Sequence, residues 1–258
     1  MSDLTQYIRQ QRTDKQLLLM THVIYGYPTI PDSLAMMRLL LENGVEILEV
    51  QFPFSDPVAD GPAITHACHQ ALGEKPQLTQ CIRDISLLAS EFPQSRVLLM
   101  SYLNPVMQSG PSQLATLMEQ SISGIIVPDI AIEKQQLIAP LTQTGIDPVW
   151  IITPDTQESR LQTICSQASG MLYCVSRAGV TGESADKNQA LGEYLRRISQ
   201  HTDLPLGVGF GISAAADIQA LRGHADIAII GSAFLNAYNR NGLEGVKEKL
   251  TELQQAAA

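Results

Sequence analysis

The segment from Glu49 to Pro62, EVQFPFSDPVADGP, carries three carboxylates and three prolines in fourteen residues. The carboxylates belong to Glu49, Asp56 and Asp60. Prolines at this density exclude a helix or a regular strand ladder. A carboxyl group in an apolar, partly desolvated site has a raised pKa, which suits it to proton transfer near neutral pH. The segment is therefore a candidate site for acid–base chemistry.

The position of each acid leaves alternatives open. Glu49 has the two-residue parity of Val45 and Ile47, which predicts that all three side chains share one face of a strand. If that face points into a barrel, Glu49 lies in its mouth. The alternative is a rim position, either solvated or paired with an arginine. For Asp60 and Asp56, which precede glycine and proline, turn formation or helix capping is the alternative.

The elements that must position these acids alternate regularly. Apolar runs rich in Val, Ile and Leu are typical of parallel strands buried on both faces, and amphipathic segments with helical periodicity separate them. Eight runs in about 240 residues favour a (β/α)8 TIM barrel over an open Rossmann-like sheet, which should show a GxGxxG turn after its first strand. The runs are QLLLMTHVIY, VEILEVQ, RVLLMSYL, GIIVPDI, PVWIIT, GMLYCVS, LPLGVGF and ADIAIIGS.

No linker or low-complexity tract divides the chain, so we expect residues 1–258 to form a single barrel domain. The polar N-terminus, MSDLTQYIRQQRTDK, has a helical pattern and predicts an extra N-terminal helix. In a barrel of this type the chemistry lies at the carboxyl ends of the strands. Glu49 ends the second strand, Met100 and Tyr102 the third, Asp129 the fourth, and Tyr173 and Ser176 the sixth.

Glycine-rich turns follow the last three predicted strands. They are RAGVTG, GFGIS and IGSAF. Ser232, after Gly231, is the predicted start of a short helix before the last one, whose free amides and dipole would favour an anion. Turns of this kind form the recurrent phosphate site of barrels, and we expect a phosphorylated small molecule. The alternative is that these glycines only make tight turns.

Charge and composition exclude several classes of protein. The formal charge is −9, which argues against nucleic acid as the main partner. The four cysteines have no zinc-like spacing and are predicted to be buried thiols in a reducing compartment. The sequence has no signal-peptide pattern and no apolar run near the roughly 20 residues that span a bilayer. We therefore expect a soluble, cytoplasmic protein.

Other catalytic chemistries lack their residues. The six lysines fall outside the predicted strand ends, which disfavours a Schiff base. The histidines form no metal set with acids; His66 and His69 are spaced for one helix face, where solvation is the commoner role. No GxSxG elbow is present. Carboxylate acid–base chemistry without a metal is the remaining hypothesis.

Seven motifs in register closely resemble the tryptophan synthase alpha chain family over almost the whole sequence. They are GYP, PFSDPVADGP, LNPV, VPDI, SRAGVTG, GFGIS and IGSAF. The resemblance implies a (β/α)8 barrel that cleaves indole-3-glycerol phosphate to indole and glyceraldehyde 3-phosphate. It also implies a beta-chain partner in an αββα complex. No cofactor is expected in this chain, and pyridoxal phosphate is expected in the beta chain.

The resemblance also implies roles for single residues. Glu49 and Asp60 match the catalytic acids: Glu49 would move protons in the retro-aldol step, and Asp60 would accept a hydrogen bond from the indole N–H. Asp56 and Pro53 are expected to contact the beta chain. The substrate-binding positions are Ile64 and Met100 at the ring, Tyr173 in the pocket wall, Thr181 in the closing loop, Phe210, and the phosphate-site residues Gly182, Gly211, Gly231 and Ser232.

Two residues depart from the family pattern. Gln51 stands where the family usually has glycine, so its side chain either crowds the loop that carries Asp60 or faces outward. His22 stands in the first strand where a bulky apolar residue is common. Two other functions remain open: a stand-alone lyase that releases indole without a beta chain, and a non-catalytic activator of a beta chain. Retention of both acids argues against the second.

Overall fold

The computed structural model describes residues 1–119, 121–176, 185–209 and 211–258, and for residues 185–188 it describes the backbone only. The strands are β1 Leu18–Ile24, β2 Ile47–Gln51, β3 Arg96–Met100, β4 Gly124–Ile126, β5 Asp147–Pro148, β6 Trp150–Ile152, β7 Leu172–Val175, β8 Leu206–Gly209 and β9 Ile227–Ile230. The α-helices are α1 Asp3–Gln11, α2 Ile30–Glu42, α3 Pro62–Ala71, α4 Leu78–Glu91, α5 Leu103–Ser109, α6 Pro111–Met118, α7 Ala139–Thr142, α8 Glu158–Gln167, α9 Ala185–Ser199, α10 Ala215–Leu221 and α11 Ser232–Ala257. Two 3-10 helices span Leu72–Glu74 and Ile132–Ile138.

The strands form one parallel sheet in the order β5-β4-β3-β2-β1-β9-β8-β7-β6. Its two outer members, β5 and β6, are successive pieces of one strand with only Val149 between them. The amide of Val149 donates to the carbonyl of Ile125, 2.9 Å away, so the chain leaves β4 and joins β7 within a few residues. This break closes the sheet, and the predicted (β/α)8 barrel is confirmed, with each of the eight predicted runs overlapping an observed strand.

Alternate side chains of the strands pack in two layers, as parallel strands covered on both faces require. One layer fills the barrel, and the other lies between the strands and the surrounding helices. Helix α1 closes the amino-terminal end of the barrel, where Leu4 and Ile8 pack with the interior cluster. The hydroxyl of Thr5 donates to the carbonyl of Gly170 at 2.7 Å and ties α1 to the loop before β7. The predicted N-terminal helix is therefore confirmed.

The predicted face of the second strand is correct only in part. Ile47 belongs to the barrel interior, but Val45 packs in the outer layer. The reason is that β2 begins at Ile47, whereas Val45 still lies in the turn after α2, where its amide donates to the carbonyl of Leu40 at 3.2 Å. Two-residue alternation holds only within extended backbone.

Helix α11 contains a break. Asn241 and Gly242 have non-helical backbone angles, which divide it into a short helix, 232–240, and a longer last helix, 243–257. A short helix before the last one was predicted from Ser232, and the structure confirms it. All four cysteines are buried free thiols, as predicted. Within the described ranges, no helix is long and apolar enough to cross a membrane.

Candidate active site

A cavity of about 230 Å³ opens at the carboxyl ends of the strands. Its wall brings together eight of the predicted site residues: Glu49, Asp60, Ile64, Met100, Tyr173, Gly211, Gly231 and Ser232. Thr181, Gly182 and Phe210 lie outside the described residues. Asp56 and Pro53 do not line the cavity: Asp56 is exposed on the surface and Pro53 is buried within the chain.

Glu49 is a buried acid with an unused oxygen. Its side chain points into the barrel mouth from β2, and the residue is only 4% exposed. Among the described residues, Oε2 has no hydrogen-bond partner. Burial raises the pKa of Glu49 to about 7; the charge of His22 opposes this rise and that of Asp60 adds to it. Near neutral pH the carboxyl group is therefore able both to give and to take a proton.

Asp60 reaches the same cavity from the loop after β2. Its amide donates to the carbonyl of Pro57 at 3.0 Å, and the hydroxyl of Tyr102 donates to its Oδ2 at 2.9 Å. Tyr102 also accepts from the amide of Ala59 at 3.0 Å and stacks on Phe54, with ring centroids 5.2 Å apart. Burial and the charge of Asp60 raise the pKa of Tyr102, so its hydroxyl stays protonated and remains a donor.

The sequence placed Tyr102 at the end of the third strand but assigned it no role. Its position there was the available signal, because strand ends of a barrel face the site. The contact with Asp60 could not be predicted, since the two residues are 42 positions apart and meet only through the loop fold.

Gln51 faces the cavity, which settles the two orientations left open by the sequence. It follows Glu49 by two residues in β2 and so has the same parity. Its Nε2 donates to Asp60 Oδ2 at 2.8 Å, and its Oε1 lies 2.6 Å from His22 Nε2. The side chain does not crowd the loop; it bonds to the acid that the loop carries.

The cavity has an apolar wall. Ile64 and Met100 take part in it, with Ile126, Ile151, Ile212 and Ile229, none of which was predicted as a site residue. Tyr173 fills the wall beside β8 because Gly209 has no side chain: a Cβ there would lie 2.5 Å from the Tyr173 hydroxyl oxygen. Burial raises the pKa of Tyr173 well above its usual value.

Gly211, Gly231 and Ser232 also line the cavity. Gly211 has φ +89°, a left-handed conformation that favours glycine, and Gly231 caps the helix that Ser232 begins. Free amides at a helix start attract an anion. Among the described residues, no three His, Cys, Asp or Glu side chains are grouped as metal ligands would be.

Comparison with known proteins gives a consistent result. The family model described as Tryptophan synthase alpha chain matches residues 8–258. The chain belongs to this family. The alpha chain of Desulforapulum autotrophicum is 38% identical over 242 residues, which cover 93% of this chain and 95% of that one. The alpha chain of Syntrophotalea carbinolica is 34% identical over 249 residues, covering 96% and 98%.

Solved structures of tryptophan synthase resemble this chain over nearly its whole length. A chain of tryptophan synthase from Mycobacterium tuberculosis superposes with a TM-score of 0.90 at 28% identity, covering 99% of this chain and 98% of that one. The alpha subunit from Legionella pneumophila gives a TM-score of 0.89 at 26% identity, with the same coverage. Membership in the tryptophan synthase alpha chain family assigns the protein to tryptophan biosynthesis as an alpha subunit.

Proposed function

We propose that this chain is a carbon–carbon lyase that cleaves indole-3-glycerol phosphate to indole and glyceraldehyde 3-phosphate. The observation that carries the proposal is the pair of acids in one cavity: Glu49, buried with a pKa raised to about 7, and Asp60, held in place by two donors. A buried acid that is half protonated near pH 7 suits a reaction that both adds and removes a proton.

The retro-aldol step balances with Glu49 as its proton carrier. Protonated Glu49 gives its proton to the ring carbon that bears the glycerol chain, and a cationic indolenine forms. The ionised carboxylate then takes the proton of the adjacent glycerol hydroxyl. That oxygen's electrons form the aldehyde carbonyl, the carbon–carbon bond breaks, and its electrons restore the indole ring. Glu49 ends in the protonation state in which it began.

Asp60 has a separate role. The carboxylate accepts a hydrogen bond from the indole N–H and stabilises the positive charge that develops on the ring. The apolar wall with Ile64, Met100 and Tyr173 holds the ring between the two acids. The phosphate binds the free amides at Gly231 and Ser232, together with Gly211. We propose that Gly182 also binds the phosphate, and that Thr181 and Phe210 contact the bound substrate.

The proposal includes a partner and excludes a cofactor in this chain. Relatives named as tryptophan synthase alpha chains support a beta chain as partner. We propose that the two chains form an αββα complex in which indole passes directly to the beta chain. Pyridoxal phosphate would belong to that beta chain. Asp56 and Pro53 lie in the loop that we propose as the docking segment; Val58 between them and Asp60 is 81% exposed. We place the reaction in the cytoplasm.

The test is steady-state cleavage of indole-3-glycerol phosphate, measured as indole released with and without beta chain. Glu49→Gln should lower kcat by roughly a hundredfold or more, because a positioned acid–base group is lost. Asp60→Asn should also lower kcat, by on the order of a hundredfold, because charge stabilisation in the transition state is lost. A Glu49→Gln enzyme with most of the wild-type rate would contradict the mechanism.

A matched control is available at the other end of the barrel. Asp147 is also buried, at 4% exposure, and its burial also raises its pKa, but it begins β5 far from the cavity. Asp147→Asn removes a buried carboxylate without touching the site, so kcat should be unchanged. A beta-chain titration separates the stand-alone lyase from the subunit, since only the subunit gains rate on adding beta chain.

A further inference from the structure

Gln51 is a fully buried polar side chain in the barrel mouth. Its exposure is 0%. A buried amide without hydrogen bonds is costly, so such groups are nearly always bonded. Gln51 meets this demand with Asp60, His22 and Cys68, whose Sγ lies 3.4 Å from Nε2. Each partner comes from a different element: the loop after β2, strand β1 and helix α3.

The direction of this hydrogen-bond chain follows from the chemistry of its ends. An ionised carboxylate only accepts, so the amide nitrogen of Gln51 must face Asp60. The amide oxygen then faces His22, and oxygen only accepts. His22 must therefore carry a proton on Nε2. The chain runs from the His22 Nε2–H to the Gln51 oxygen, and from the Gln51 N–H to Asp60.

The contacts on Asp60 leave its two oxygens unequal. Gln51 and Tyr102 both donate to Oδ2. Gln51 lies at the end of β2, and Tyr102 lies two residues after the end of β3. Two donors on one oxygen, from two fixed directions, set both the position of the carboxylate and the rotation of its plane. Among the described residues no hydrogen bond to Oδ1 is made, and this oxygen is available to a ligand in the cavity.

His22 is itself held in place on two sides. It pairs with Glu49 in the β1–β2 register, and its ring lies beside Gly231, where an added Cβ would be 3.7 Å from Nδ1. The imidazole of His22 therefore packs between strand β2, which carries Glu49 and Gln51, and the turn at Gly231. A side chain confined in this way loses little freedom when it orients the Gln51 amide.

We propose that Gln51, oriented by His22, is a positioning residue that fixes the Asp60 carboxylate with Oδ1 toward the ring nitrogen of the substrate. The inference rests on the proposed function, because it assumes that Asp60 acts in the reaction. Gln51 does not touch the reacting atoms; it acts through Asp60. Its loss should slow the chemical step more than it weakens substrate binding.

The decisive experiment is a double-mutant cycle on indole-3-glycerol phosphate cleavage. Gln51→Met keeps the length of the side chain but removes both amide atoms, and it should lower kcat about tenfold with KM changed less than about twofold. In an Asp60→Asn background the same change should alter kcat by less than about twofold, because the residue through which Gln51 acts is already lost. His22→Phe should lower kcat in the same direction by a smaller factor of about three.

Thr21→Val is the matched control. Thr21 precedes His22 in β1, is fully buried, and its hydroxyl has no partner among the described residues. The change is isosteric, removes a buried polar atom and leaves the Asp60 contacts intact, so kcat should stay at the wild-type value. Thermal unfolding of each variant distinguishes loss of the fold from loss of the Asp60 orientation in a folded protein. If Gln51→Met does not fold, His22→Phe serves as the second variant.

A second readout does not depend on activity. In ligand-free protein labelled with 15N-histidine, the wild type should carry a proton on His22 Nε2, and Gln51→Met should lose this preference. A wild-type kcat in Gln51→Met, full additivity with Asp60→Asn, or an Nδ1–H tautomer would overturn the inference. If Asp60→Asn itself keeps the wild-type kcat, the proposed role of Asp60 fails, and the positioning role fails with it.

Discussion

Glu46 immediately precedes β2 and Glu49 lies three residues further on within that strand, and both are buried. Glu46, 7% exposed, pairs with Lys15 and accepts from the amide of Leu19 at 3.0 Å. Glu49, 4% exposed, has an oxygen without a hydrogen-bond partner among the described residues. The same side chain is therefore neutralised at the amino-terminal end of the barrel and left unpaired at the carboxyl-terminal end.

A second acid at the amino-terminal end repeats the pattern of Glu46. Asp226 accepts from Arg12 at 3.3 Å and from the amide of Leu206 at 2.9 Å. Paired acids at this end join neighbouring strands and the N-terminal segment, so they contribute to stability. An unpaired buried acid destabilises the fold unless it stays protonated. This difference supports the proposal that the amino-terminal end of the barrel serves stability and the carboxyl-terminal end serves the chemistry.

The largest expected effect concerns the cost of burying Glu49. Its pKa is about 7 in the folded protein against 4.5 ordinarily, so the folded state binds the proton more tightly than the unfolded state. The contribution of Glu49 to the free energy of unfolding is fully present below pH 4.5 and is lost as the pH rises through 7. The loss should be on the order of 3 kcal/mol at most.

The measurement compares wild type with Glu49→Gln. The free energy of unfolding, measured in urea from about pH 4 to pH 8, should fall more steeply with pH in the wild type, because the variant lacks the titrating group. The difference between the two proteins should develop between pH 4.5 and 7. Parallel pH profiles would show that Glu49 does not titrate with a raised pKa, and would remove the contrast with Glu46.

Sequence patterns were sufficient to predict the barrel, because each strand is a short apolar run and amphipathic helical segments separate most of the runs. The alternation of side chains left the mouth or the rim open for Glu49, and Glu49 lines the cavity at the mouth. The same rule applied to Gln51 would have placed it beside Glu49. Its limit is shown by Val45, which lies before β2 begins and packs on the outer layer. Strand boundaries depend on pairing with distant segments, which the local sequence does not contain.

The hydrogen-bond chain in the site was beyond prediction for a related reason. His22 and Gln51 are 29 positions apart, and their contact depends on the register of β1 against β2, where Ile24 is the residue opposite Gln51. The sequence identified both residues as departures from the family pattern. Only the register and the path of the loop to Asp60 show that the two departures are one feature.

An intermediate effect is expected from removing the partner of Glu46. Lys15→Met leaves a 7% exposed carboxylate with the Leu19 amide as its remaining donor among the described contacts. A buried charge that loses its partner is strongly destabilising, and we expect a cost of about 2 kcal/mol, reduced because Lys15 is itself partly exposed. Urea unfolding at neutral pH gives the free energy, and indole release should show an unchanged kcat. A change in kcat without loss of stability would contradict the division between the two ends.

The smallest effect is expected from changing the acid of that pair instead. Glu46→Gln keeps an oxygen that accepts from the Leu19 amide, and it leaves Lys15, whose side chain is 43% exposed, to be solvated by water. No charge stays buried, so the cost should be about 1 kcal/mol, less than for Lys15→Met. The order of the two costs is the informative result, because it depends on which partner is buried rather than on the pair itself. If Glu46→Gln were the more destabilising change, loss of the ion pair would destabilise the fold more than leaving a buried acid unpaired does. The unpaired state of Glu49 would then have only a small free-energy cost, and it would no longer support a chemical role for the carboxyl-terminal end.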